Sequence, residues 1–192
     1  MDTKKRAELI STFFQPVIIP VILYLLVSFR YASGSDALLY FLLGVVFITI
    51  APVLLITILT KMKIISDPDI PNRRERFLPY LMIVLLYLVG FFIFFVIHAP
   101  GQILSITVSY ILVTLVGALI SLYWKISMHL AGIAGPITAL VFYVSPYFLL
   151  AYLLLIPLGW ARLTLKKHSL SQIMVGSACS IFLTYLVIRF FA

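Results

Sequence analysis

Residues 78–98 read LPYLMIVLLYLVGFFIFFVIH and contain no charged side chain. Coiled at 1.5 Å per residue, a run of this length covers about 30 Å, the thickness of a bilayer's hydrocarbon core. A backbone in lipid must satisfy its hydrogen bonds internally, and a helix does so within one segment. Residues 37–60 and 102–122 are free of charge in the same way, and 12–30, 126–143, 147–160 and 171–190 carry the signature more weakly. Pro16 and Pro20 would kink the first span early. The spans at 126–143 and 147–160 are short and joined only by Val144-Ser145-Pro146. The sequence predicts an all-α fold, a polytopic transmembrane helix bundle of about seven spans. It forms a single transmembrane domain over 1–192 with one basic loop at 61–77.

Composition agrees. The 192 residues are 64% hydrophobic and 10% charged, with a mean hydropathy of +1.19, whereas a soluble domain keeps roughly a quarter of its residues charged. The basic opening Met-Asp-Thr-Lys-Lys-Arg resembles the start of a secretory signal. Apolar segments recur along the chain and no small-residue cleavage site follows the first, so a retained helix is expected. The lone Cys179 excludes a disulfide within the chain and reads as a small packing residue.

The net charge of +8 does not point to nucleic acid, because the cations sit in short loops between spans. Lys4, Lys5 and Arg6 precede the first span; Lys61, Lys63, Arg73, Arg74 and Arg76 follow the second; Lys125 follows the fourth; Arg162, Lys166 and Lys167 follow the sixth. Seven alternating spans bring all four groups to one face. The loops around Gly34-Ser35-Asp36, His98-Ala99-Pro100-Gly101 and Ser145-Pro146 hold few cations. The positive-inside rule then places the N-terminus and the basic loops in the cytoplasm, and the setting expected is a bacterial inner membrane.

Three clusters could carry chemistry. The connection Lys61–Arg76 packs five cations with Asp67, Asp69 and Glu75, and Pro68 and Pro71 stiffen it. Three readings stay open for it: a solvated loop binding anionic headgroups, a phosphate-binding part of an active site built on Lys63, Arg73, Arg74 and Arg76, or a metal site on Asp67 and Asp69. The second cluster, Trp124-Lys-Ile-Ser-Met-His-Leu-Ala-Gly132, puts Lys125, Ser127 and His129 at the start of a span, where free N–H groups attract anions. Ala131, Gly132, Ala134 and Gly135 follow and allow close helix approach. The third runs from Ala161 to Gln172. There Gln172, one turn beyond His168, can hydrogen-bond back to the imidazole. A basic turn without catalytic role is the alternative. His98 lies on the opposite side and reads as an interfacial loop residue. Two histidines among cations on one face suit phosphoryl transfer without a metal: one imidazole attacks phosphorus and the other protonates the leaving oxygen.

Ile126-Ser127-Met128-His129 resembles the Pro-Ser-Gly-His motif, and Ala161-Arg162-x5-His168-x3-Gln172 resembles the Ser-Arg-x5-His-x3-Asp motif, of the type 2 phosphatidic acid phosphatase family of membrane lipid phosphatases. The similarity covers residues 125–180, about a third of the chain. The family's first motif, Lys-x6-Arg-Pro, is absent as such; the 61–76 loop with Arg76-Phe-Leu-Pro79 is its best substitute. The resemblance implies a six-helix phosphatase-like core plus one span, with no cofactor and no metal. It implies that His168 is the nucleophile forming a phosphohistidine, that His129 is the general acid, and that Arg162 and the Ser127 region bind phosphate. Gln172 stands where the family has an Asp; an amide fixes a tautomer but does not stabilise an imidazolium as a carboxylate does.

The implied substrate is a lipid phosphomonoester or a diphosphate such as a prenyl diphosphate. Membrane lipids are the surroundings, and a homo-oligomer stays open. Two other classes compete: a non-catalytic protein of the same fold that binds anionic lipid or partners, and a transporter or a magnesium-dependent prenyltransferase using Asp67 and Asp69.

Overall fold

The computed structural model describes residues 2–14 and 17–191, and 83% of these residues are helical with no strand among them. The helices are α1 (Thr3–Phe13), α2 (Ile18–Tyr31), α3 (Gly34–Gly44), α4 (Ala51–Lys61), α5 (Phe77–Val96), α6 (Gly101–Tyr123), α7 (Met128–Tyr143), α8 (Leu155–Thr164) and α9 (Leu170–Phe191). A π-helical turn, Val45–Ile50, joins α3 to α4 into one span. Six helical stretches are long and apolar enough to cross a membrane, and α7 is a shorter seventh. The chain is an integral membrane helical bundle.

Two expected spans take a different form. The region before and within 12–30 is two helices. α1 is a separate, more polar helix that packs on α8 through the buried Ala7 and Ser11. Pro20 falls in the first turn of α2, where its missing N–H has no intrahelical partner to lose; Pro16 lies outside the described residues. The sixth span is longer than 147–160. Pro146–Leu154 forms a 3₁₀ helix before α8 begins. At about 2.0 Å per residue for the first part and 1.5 Å for the second, the whole reaches roughly 33 Å. Its stretched geometry lets a 19-residue segment cross a core of about 30 Å.

α7, with 16 residues, covers only about 24 Å. It does not need to meet lipid at both ends, because it is the core of the bundle: Leu130, Ile133, Ala134, Ile137, Ala139 and Leu140 are all buried. Its small residues decide its neighbour. A Cβ on Gly135 would come within 2.5 Å of Ser180 Oγ in α9, and Ser180 Oγ donates to the Ala131 carbonyl at 2.7 Å. Lower down, a Cβ on Gly176 would meet the Ser127 carbonyl oxygen at 2.6 Å. With little hydrophobic gain between helices in lipid, such close backbone contact and interhelical hydrogen bonding supply the association. The result sets the starts of α7 and α9 side by side, and the Ser127 N–H donates to the Gln172 carbonyl at 3.2 Å.

Gly176→Ala places a methyl group against backbone that has no rotamer to yield. It should destabilise the folded protein by about 1–3 kcal/mol, read as a lower thermal midpoint in detergent; an unchanged midpoint would mean that α7 and α9 are not packed this closely.

Candidate functional site

The three clusters meet at one end of the bundle. The 61–76 connection is largely exposed, yet it is tied at each of its anions. Glu75 accepts from the Ser66 N–H and Oγ, both at 2.8 Å, and from Asn72 Nδ2 at 3.0 Å. Asp67 Oδ1 accepts the Asp69 N–H at 2.8 Å, a turn that throws Asp69 forward. The next residue, Ile70, is held at φ +45° with its side chain buried, a conformation that costs a β-branched residue of order 1–3 kcal/mol. Arg76 holds it there: Nε donates to the Ile70 carbonyl and Nη1 to the Ile126 carbonyl, each at 2.8 Å, with the side chain only 2% exposed. Arg76 thus fastens the connection to the start of α7.

Asp69 stands among cations. Its Oδ2 lies 3.1 Å from Arg162 Nη1 and 3.3 Å from Lys167 Nζ, and its Oδ1 lies 3.5 Å from His129 Nε2. Burial alone would raise this carboxyl, but Arg162, His129 and Lys167 hold it below the ordinary carboxylate range. Arg162, itself 2% exposed, also donates from Nη1 to Ser11 Oγ at 3.0 Å. The remaining donors are incompletely used: Arg162 Nε and Ser127 Oγ are buried with no hydrogen-bond partner among the described residues. A buried polar atom without a partner costs about 1–3 kcal/mol, so this end of the bundle is poised for an added acceptor.

The amide at 172 does what its position suggests. His168 Nδ1 and the Ser169 N–H both lie 3.2 Å from Gln172 Oε1. An amide oxygen only accepts, so Nδ1 carries the proton and Nε2 keeps its lone pair. Burial, followed by the charges of Arg162, Arg76 and Lys125, pushes His168 down to about 3, so the ring is neutral at physiological pH. Lys125 is lowered by burial and by Arg76, Arg162 and Lys167, and its Nζ donates to the Lys167 carbonyl at 2.7 Å. His129, His168, Asp69 and Arg76 share the wall of one chamber of about 390 Å³ that continues between the helices.

The expected site residues therefore divide. His129, His168, Gln172, Arg162, Ser127, Lys125 and Arg76 gather here, although Arg76 spends two of its donors on carbonyls and acts as a strut. Of these, His129, His168 and Arg76 line the chamber, while Arg162, Ser127, Lys125 and Gln172 stand beside it; Arg73, Arg74 and Lys63 stand apart. All three are exposed, Arg73 donates to the Leu122 carbonyl, and Lys63 closes the end of α4 with φ +59°. The metal reading of Asp67 and Asp69 does not fit the donors. Asp67 is engaged in the turn, Asp69 faces three nitrogen groups, and among the described residues no three metal-binding side chains come together. The sequence does not mark Asp69 and Lys167 as parts of an anion site. The Asp-Pro-Asp turn before Arg76 was the available signal, but only the fold shows that its second carboxylate is surrounded by cations. Comparison with protein-family models, characterised proteins and solved structures gives no match.

The depressed His168 sets a pH dependence. Its folded value lies below the 6.5 of an unfolded histidine, so the unfolded chain binds the extra proton first. The stability contributed is present above 6.5 and is lost as pH falls from 6.5 toward 3. Thermal midpoints should decline over that range, and His168→Gln should flatten the decline; equal slopes for both proteins would contradict the assignment.

Proposed function

We propose that the chain is a membrane lipid phosphatase, a divergent relative of the type 2 phosphatidic acid phosphatase family, hydrolysing a phosphomonoester or diphosphate of a lipid through a phosphohistidine on His168. The observation that carries the reading is the pair of hydrogen bonds on Gln172 Oε1, which leaves a neutral imidazole with a bare Nε2 in a chamber shared with His129 and Asp69. Arg162, Lys167 and Lys125 are the positive charges beside it, and Arg162 Nε and Ser127 Oγ are donors awaiting an acceptor.

In this scheme the phosphate settles among Arg162, Lys167 and Ser127. His129 enters as the imidazolium, taking up a proton when the negative charge of the phosphate settles beside it. His168 Nε2 donates its lone pair to phosphorus as the phosphorus–oxygen bond to the lipid breaks, and His129 gives that proton to the departing oxygen. Water then attacks the phosphohistidine, returns a proton to His129 and releases phosphate as the phosphorus–nitrogen bond breaks. The cations stabilise the charge on the equatorial oxygens, which in comparable sites is worth about 10²–10³ in rate per donor. Asp69 occupies the cations that the phosphate requires and must yield to it. By the positive-inside rule this face lies in the cytoplasm, and the setting we propose is a bacterial inner membrane.

One observation favours a second reading, a phosphatase-fold protein that binds anionic lipid without turnover: residue 172 is an amide where the family has a carboxylate. Gln172→Asp separates the two. A gain from zero marks a degenerate enzyme, no activity in either form marks a binder, and activity in the native protein supports the phosphatase.

His168→Ala should abolish phosphate release from a lipid phosphomonoester or a prenyl diphosphate in mixed micelles, and Arg162→Lys should lower kcat about 10²-fold. Undiminished turnover in purified His168→Ala protein discards the mechanism. Asp69→Asn removes the internal competitor, so KM should fall roughly tenfold, the effect of about 1.4 kcal/mol; a raised KM would show that the carboxylate helps to hold the substrate.

A further inference from the structure

The chamber that begins at the two histidines continues into the membrane interior, and its far wall is far from the charged end. The starts of α7 and α9 and the ends of α4 and α6 mark the charged end. From there the wall runs along α7 to Ala139, along α9 to Thr184, along α6 back to Ile106, and along α4 back into the π-helical turn at Ile48 and Thr49. Roughly ten to seventeen residues at about 1.5 Å each make this a depth of about 15–26 Å. The wall is mostly apolar, with Leu23, Ile83, Ile106, Val113 and Ala139 among its residues. A head of positive charge above a narrow apolar shaft is complementary to one kind of molecule, a phosphate carrying a hydrocarbon chain.

Volume decides how many chains. An empty apolar cavity of about 150 Å³ accepts one benzene, six carbons. On that scale the 390 Å³ of the chamber holds roughly fifteen carbons, and a water-sized group of about 30 Å³ gives a similar number. Spread over about 20 Å of depth, the same volume has a mean cross-section near 20 Å². Carbon atoms touch at about 4 Å, so one chain fills that width and two side by side do not. The hydroxyls of Thr49 and Tyr110, both on the chamber wall, have no hydrogen-bond partner among the described residues. They make the deep end the least favourable place for a methyl terminus, and chain length is limited there.

We infer that the protein takes a single-chain lipid phosphate, its one acyl or prenyl chain of about 15 carbons threaded into this shaft, and discriminates against two-chain phospholipids. The inference rests on the phosphate reading of the charged end, and it adds a length limit and a chain count that the charged end does not contain.

Photolabelling tests it without relying on turnover. Hexadecyl phosphate bearing a diazirine near its methyl end is irradiated with the full-length protein in detergent micelles. The label is expected on α6 between Tyr110 and Thr114 or on Ile48 and Thr49. Excess hexadecyl phosphate or farnesyl phosphate should suppress it at least tenfold, with the stronger of the two identifying the preferred chain type, whereas dipalmitoyl phosphatidate should leave it in place. Label found instead on the outward-facing Leu85 and Leu88 of α5, or suppressed equally by the two-chain lipid, overturns the inference. Val113→Trp, which fills the shaft, should reduce chamber labelling at least tenfold. If that variant does not fold, the competition in the native protein decides alone. Chamber labelling without phosphate release would retire the enzymatic reading and leave the single-chain site standing; phosphate release from one-chain and two-chain lipids at equal rates would do the reverse.

Discussion

A guanidinium enclosed in a helical bundle has no water to face, and its charge must be met from within. Arg162, 2% exposed, is met by Asp69 and Ser11, which come from the connection after α4 and from the N-terminal helix. An isolated buried charge costs several kcal/mol even after relaxation, so these elements are not free to drift. The arrangement of the charged end follows: Asp69 is thrown into place by the Asp67 turn, Ile70 is held in a left-handed conformation, and Arg76 clamps its carbonyl to that of Ile126. Strain in the connection is tolerated because several buried contacts determine it together.

A second constraint works from the lipid side. α7 and α9 touch through Gly135, Gly176, Ser180 and Ala131, and that contact fixes how far apart their first turns stand. His129 belongs to one turn, and Gln172, which orients His168, to the other. Local packing of small residues is thereby converted into the geometry of two imidazoles that are 39 positions apart in the chain. The site is also more finely built than a basic patch at a membrane surface requires. A patch that merely attracts anionic headgroups needs exposed cations, and Arg73, Arg74 and Lys63 supply those, whereas Arg162 and His168 are enclosed.

Much of the fold is legible in the chain because hydrocarbon thickness imposes a length on every span. Residues 37–60, 78–98 and 102–122 need no tertiary information, and α9 follows its expected limits closely. Where reading by length failed, geometry was the reason. The sixth span crosses partly as a 3₁₀ helix, which rises further per residue, so its apolar run looks too short. α1 packs on α8 through Ala7 and Ser11, and no hydropathy window records that. Within the site, the short spacing from His168 to Gln172 announces their hydrogen bond, because a side chain in the first turn of α9 reaches back over the residues before the helix: Gln172 Oε1 accepts from the Ser169 N–H while Ser169 Oγ accepts the Gln172 N–H. Asp69 was legible only as an acidic residue in a stiff loop. Its three nitrogen neighbours, the cations Arg162 and Lys167 and the imidazole of His129, come from distant residues, and long-range pairing of that kind is not written in local pattern. Arg76 was misread for the same reason: the two carbonyls that occupy it, on Ile70 and Ile126, are brought together only by the fold.

The most direct measurement is detection of the covalent intermediate. Purified protein is mixed with a lipid phosphate, stopped in alkali within the first turnover, digested and examined by mass spectrometry. A gain of one phosphoryl group on the peptide containing His168, absent when the lipid phosphate is omitted, is the expected result. Phosphate released in step with an unmodified His168, or a phosphoryl group carried on His129 instead, would contradict the assignment of the nucleophile.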